Sequence, residues 1–138
     1  MTTLHERIRA ELDRRTAVAN AASHGGTGEW SRPDPDHSYG RIEDENGHLV
    51  VYDEGSPTES EAEHIALHDP ADALRRYAGE LEVLERHAPG PDDTGWYCRW
   101  CYAGISQETG ADEFLPYPCD EVRSLASRLG IMVEEWRP

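Results

Sequence analysis

Three cysteines and a histidine carry the sharpest chemical signal in this chain. Cys98 and Cys101 enclose Arg99 and Trp100 in a Cys-x-x-Cys motif; ten residues separate His87 from Cys98, and seventeen separate Cys101 from Cys119. Three thiolates and an imidazole form a complete donor set for a tetrahedral zinc ion. A Cys-x-x-Cys turn aims two thiolates at one ion, and a cysteine just ahead of a helix is favoured as the thiolate by the helix N-terminus. Zinc held by His87, Cys98, Cys101 and Cys119 would have no open position, so its role would be structural.

The same residues admit other chemistry. His68, His64 or a water could take the fourth position, and a water there would make the site that of a zinc-dependent hydrolase. Cys98 and Cys101 could instead be a redox pair, with Trp96 two residues ahead; no βαβ pattern surrounds them and no proline lies inside the motif. They could also be ordinary thiols. His64 and His68 stand four apart on an expected helix, but Ile65 occupies the position of the glutamate in His-Glu-x-x-His, so packing and helix-terminal roles fit them better. No pair of carboxylates sits in apolar context, and no Ser-His-Asp elbow, phosphate loop or dinucleotide fingerprint is present, which disfavours an enzyme.

Composition narrows the setting. The formal charge is −15, all thirteen basic residues are arginine, and residues 25–70 carry twelve acids against Arg32 and Arg41 alone. Such a surface repels phosphate backbones and disfavours nucleic-acid binding. The acids at 43–45 and 53–63 read as a solvated face, or alternatively as an imitation of DNA phosphates that would occupy a DNA-binding protein. There is no apolar run of membrane-spanning length and no signal-peptide core, so the expected location is the cytoplasm, where thiols stay reduced. Hydrophobic content of 37% is low, yet four Trp, six Tyr and clear helical periodicity argue for a folded chain.

The elements that must position the candidate ligands can be read in order. Thr3-Leu4-His5-Glu6 has capping-box spacing and opens a helix over 3–22, with Leu4, Ile8 and Leu12 as its apolar stripe and Gly25-Gly26 as its stop. Residues 23–38 read as a loop around Trp30. An acidic hairpin spans 39–53 with Asn46-Gly47 at its turn; a two-residue closure would set Ile42 opposite Val51 and Asp44 opposite Leu49, with Val50 on the solvated face. Ser56-Pro57-Thr58-Glu59 starts a helix over 57–88, Ser56 capping, with a kink or break at Asp69-Pro70 where Asp69 can cap afresh. Residues 89–94 read as a connector, 96–103 as a short aromatic hairpin, and 104–118 as mostly loop. A last helix follows Cys119, with Val122, Leu125, Ala126 and Leu129 on one side and Gly130 as its stop. The tail, with Ile131, Met132, Val133 and Trp136, should dock.

Several strings add a resemblance. His64-Ile65-Ala66, His68-Asp69-Pro70-Ala71, the Cys-x-x-Cys, Pro118-Cys119 and Glu134-Glu135-Trp136-Arg137-Pro138 resemble a family of small actinobacterial and actinophage proteins of unknown function. That family shares a tryptophan soon after an N-terminal helix, matched by Trp30, although its Gly-Pro-Trp reads Gly28-Glu29-Trp30 here. The acidic hairpin also looks longer than the family pattern. The resemblance implies a zinc site and a phage or actinobacterial setting, without an activity.

The expectation is therefore a single α+β domain: a small antiparallel sheet and three or four helices around a structural zinc site at 87–130. Such a protein would act as an accessory factor by binding an unknown protein partner.

Overall fold

The computed structural model describes residues 2–33, 41–51, 58–90 and 97–133. The order of elements is α1 (Leu4–Ala22), β1 (Trp30–Ser31), β2 (Ile42–Asp44), β3 (Leu49–Val51), α2 (Glu59–Leu67), α3 (Pro70–Arg86), β4 (Tyr97–Ile105), β5 (Asp112–Pro116) and α4 (Asp120–Arg128). Among the described residues, four helices with two small antiparallel sheets make the fold α+β. Residues gather in two compact units, one formed by Met1–Asp13 with Ala78–Pro138 and the other by Arg14–Tyr77.

The first unit is discontinuous in sequence. It takes the start of α1, the end of α3, the β4–β5 hairpin and α4. At the start of α1 the capping box forms as its spacing predicts: the Glu6 N–H donates to Thr3 Oγ1 at 3.2 Å and the Thr3 N–H to Glu6 Oε2 at 2.7 Å. Leu4, Ile8 and Leu12 are buried, as are Leu84 of α3 and Val122 and Leu125 of α4. Full burial of such side chains is worth about 1.5–3 kcal/mol apiece. At the rim Glu85 of α3 meets His5 and Arg9 of α1, and Glu80 meets Arg128 of α4 at 3.6 Å. Helix α4 ends in a Schellman motif: the Ile131 N–H donates to the Ala126 carbonyl, the Gly130 N–H to that of Ser127, and Gly130 has φ +75°. Beyond it Ile131 and Val133 are half-buried and Met132 is exposed; Trp136 lies outside the described residues.

The second unit contains a three-stranded sheet in the order β1-β2-β3. Trp30 was expected in a loop; Trp30 and Ser31 instead pair with Asp44 and Glu43. The hairpin keeps Ile42 opposite Val51 but sets Glu43, and not Asp44, opposite Leu49. The reason is the turn. Asp44 accepts from the backbone N–H groups of Asn46 and His48, and the Gly47 N–H donates to the Asp44 carbonyl. Gly47 has φ +79° while Asn46 stays at negative φ, so the loop closes over three residues with a bulge at the glycine instead of a two-residue primed turn. A separate irregularity between Ile42 and Glu43 leaves Val50 as an extra residue of β3 and returns Ile42 to Val51, and Val50 is half-buried like Leu49 and Val51.

The expected long helix is two. Thr58, not Ser56, caps α2: its hydroxyl accepts from the Glu61 N–H and the Glu61 carboxylate accepts from the Thr58 N–H at 2.7 Å. Ser56 and Pro57 lie outside the described residues. The break falls at Asp69, which is buried and works twice. One carboxylate oxygen accepts from the Asp72 N–H at 2.7 Å, starting α3, and the other accepts from the Trp30 N–H at 3.1 Å, holding β1.

These contacts also account for much of the acidic stretch. Glu43 pairs with Arg41, Glu45 accepts from the Thr27 N–H, and Asp44, Glu61 and Asp69 serve the turns and caps just described. The bonds from His48 hold the Asp44 carboxyl below the usual range, and those from Thr58 do the same for Glu61.

Candidate metal centre

The centre is built from three parts of the first unit, the end of α3, β4 and the start of α4. The last turn of α3 places His87, whose N–H donates to the Val83 carbonyl. Residues 89–94 were expected to be a plain connector, and 91–94 lie outside the described residues. Ala88–Gly90 instead runs beside the start of β4, with the Arg99 N–H donating to Ala88 O, the Gly90 N–H to Tyr97 O, and Pro89 bridging Cys98. Gly90 lies against the Tyr97 ring so closely that a β-carbon there would overlap three ring carbons. That approach seats His87 beside the cysteine motif.

The motif itself stands out of its ladder. Tyr97 pairs with Pro116 and Tyr102 pairs with Phe114, so residues 98–101 on β4 face Leu115 alone on β5. The expected 96–103 hairpin and 104–118 loop are thereby corrected. The hairpin runs from Tyr97 to Pro116 because β5 supplies the second strand, and Trp96 lies outside the described residues. The two residues between the cysteines tie the bulge to α3. The Arg99 guanidinium donates to the Glu85 carbonyl at 3.0 Å, and Arg86 lies over the Trp100 ring at 5.5 Å. Neither role is visible in the sequence, where Arg99 and Trp100 are only the spacers of the motif.

Cys119 arrives from the other side as the N-cap of α4, and the Arg123 Nε–H donates to the Pro118 carbonyl just before it. Together these elements bring His87, Cys98, Cys101 and Cys119 within 4.8 Å of one another through their ligand atoms. His87 Nδ1 lies 3.5 Å from Cys98 Sγ, 3.3 Å from Cys101 Sγ and 3.5 Å from Cys119 Sγ. His64 and His68 stack edge to face in the second unit and are not members of this group.

The geometry can be tested against an ion. With Zn–S near 2.3 Å and Zn–N near 2.0–2.1 Å, a tetrahedral centre has N···S edges of about 3.6 Å. The three observed edges match, and the equal approach of all three sulfurs to one nitrogen is not what a two-sulfur redox pair requires. Ligation through Nδ1 places the imidazole proton on Nε2. The electrostatics point the same way. Burial, then the Cys98 and Cys119 sulfurs, push the Cys101 thiol up to about 12. Burial also raises Cys119, the Val122 N–H acting against it. Cys101 and Cys119 thus resist becoming thiolates, and a divalent cation among the sulfurs would reverse that preference. His87, Cys98 and Cys119 are buried, while Cys101 is half-buried, with the Glu121 carboxylate 4.0 Å from its sulfur. The group can hold a metal ion.

Among known proteins, no curated protein and no solved structure matches the chain. A family model described as a family of unknown function, DUF6221, covers residues 1–128, a span that includes all four members of the metal group. The chain belongs to the DUF6221 family.

Proposed function

We propose that this is a small cytoplasmic accessory protein, encoded by an actinobacterium or its phage, that is stabilised by structural zinc and acts by binding another protein. The observation that supports it best is the approach of one imidazole nitrogen to three sulfurs at 3.3–3.5 Å. Four protein ligands fill a tetrahedral shell, the arrangement of zinc sites that hold folds. A hydrolase reading needs one of those positions for water, and His87 stands in it. Zinc is favoured over other divalent ions because thiolate-rich tetrahedral sites suit it.

Protein binding is supported by where apolar surface is left in water. Of the eight large hydrophobic side chains exposed among the described residues, Trp100, Tyr102, Ile105, Phe114 and Leu115 all lie on the metal-bearing hairpin. Imitation of DNA draws less support, because Glu43, Asp44, Glu45, Glu61 and Asp69 are each engaged by a local hydrogen bond or ion pair.

Metal analysis of the purified protein tests the centre: about one zinc per chain, lost in Cys119→Ser, is expected, and metal-free protein of unchanged stability would refute it. Affinity capture from an actinobacterial lysate tests the rest. A partner retained in the presence of duplex DNA and lost on chelation is expected, whereas a DNA-binding protein displaced by duplex DNA would favour mimicry.

A further inference from the structure

We infer that two copies of the chain associate through the outer edge of β5, joining their hairpins into one four-stranded antiparallel sheet. This rests on the protein-binding reading above and names the partner of the hairpin as a second copy.

A two-stranded sheet is marginal in water, and its free edges are templates for a further strand. Among the described residues β5 pairs with β4 alone. The other edge of β4 is partly taken, since Pro89 bridges Cys98 there. The irregularities of the hairpin all fall on β4, where residues 98–101 face Leu115 alone and Ala103 has no residue opposite, while Asp112–Pro116 runs without a bulge. The strand on offer is therefore the regular one. All five of its residues are exposed, and its centre is apolar.

Charge argues for a second copy. An antiparallel partner in register about Phe114 sets Phe114 opposite Phe114, Glu113 opposite Leu115 and Asp112 opposite Pro116. No carboxylate then faces another, although β5 begins with two acids in a row. Parallel pairing in register would stack Asp112 on Asp112 and Glu113 on Glu113, which is destabilising. The antiparallel arrangement is also isologous, each copy giving and receiving the same contacts around a two-fold axis at Phe114. Phe114 already packs against Tyr97 and Tyr102, with centroids 5.4 and 5.9 Å away, so pairing would extend an existing aromatic row across the axis. Net charge of −15 per chain opposes association at long range, and salt screens that repulsion.

The test uses the full-length, metal-loaded protein in sedimentation equilibrium and light scattering, from micromolar to millimolar concentration, at low and high sodium chloride. The expected result is a shift from the 15.5 kDa chain to twice that mass, strengthened by salt. Phe114→Arg should weaken the dimer at least tenfold, and so should Leu115→Asp, with unchanged far-UV circular dichroism and metal content. The alternate backbone amides of Asp112–Leu115 that face the outer edge should exchange more slowly as the dimer forms. A monomer at every concentration in high salt overturns the inference, as does a dimer that both variants leave intact. Metal content measured on the same samples separates this from the zinc reading: zinc-loaded monomer defeats the dimer alone, and metal-free protein defeats the centre.

Discussion

Replacing His87 with alanine is the sharpest test of the centre, because its effect can be scaled from the geometry. In the proposed zinc site the imidazole would supply one of four donor atoms, and its Nδ1 lies 3.3–3.5 Å from all three sulfurs. Structural zinc sites of this size bind with an apparent free energy of about 10–16 kcal/mol. Shared evenly over four donors, the loss of one costs about 2.5–4 kcal/mol, or roughly a hundredfold to a thousandfold in affinity. The alanine leaves room for a water, so the site should weaken without vanishing. Competition against a chromophoric chelator measures this directly, and cobalt substitution reads the donor set from its thiolate charge-transfer bands. His87→Ala should keep three thiolate bands with weakened affinity, and His87→Cys should regain tight binding with a fourth. If His87→Ala binds zinc as tightly as wild type, the imidazole is a bystander and the fourth donor lies elsewhere. Removing zinc from wild type should lower its melting temperature, since a ligand held at a thousand times its dissociation constant stabilises by about 4 kcal/mol.

Other expectations follow from the same contacts. Asp69→Ala should cost about 2–4 kcal/mol in urea denaturation, combining a lost cap with an orphaned Trp30 N–H, whereas Asp69→Asn should recover only one of the two bonds, because its NH2 cannot accept from the second N–H. Gly90→Ala should cost about 1–3 kcal/mol through the clash with Tyr97, and should also weaken metal binding because that approach seats His87. Stability should fall as pH drops below 6.5. Burial lowers the folded pKa of His5, with Glu85 partly opposing, so the unfolded chain takes up the proton first; His5→Gln should flatten that part of the melting-temperature profile. Asp44 carries a depressed pKa from its bonds to His48, so the stability it gives is present above 3.8 and lost as pH falls through its lower folded value. Asp44→Asn should remove that step in an acid titration of the hairpin.

The parts of this fold that were legible in sequence are those decided by neighbours three or four residues apart. The Thr3–Glu6 capping box, the Leu4, Ile8 and Leu12 stripe, the break at Asp69 and the Gly130 stop each follow from local spacing, and the structure has all of them. The four residues of the centre were legible for a different reason: donor chemistry limits which side chains can share an ion, whatever lies between them. What escaped was tertiary. Trp30 joins a sheet because a carboxylate thirty-nine residues away accepts its N–H, and no window around Trp30 contains that fact. β5 was read as loop because its polar start and closing proline disguise a strand, and its pairing depends on a bulge in β4. The turn at Gly47 was misjudged because the Asn-Gly pair was weighed without Asp44, whose side chain bonds the backbone two and four residues on and selects a different closure.

The discontinuity of the first unit has a consequence for how the chain is made. Leu4, Ile8 and Leu12 leave the ribosome early, but Leu84, Val122 and Leu125 of the same unit are far downstream. At about 5–20 residues per second, roughly 6 to 23 seconds pass between synthesis of Leu12 and that of Leu125. Through that interval the apolar stripe of α1 has no completed core to enter, while every residue of the second unit has been made before the first metal ligand is translated. The nascent chain is thus most exposed to aggregation and to holding chaperones at its N-terminal helix, and the arrival of Cys119 and α4 ends that exposure.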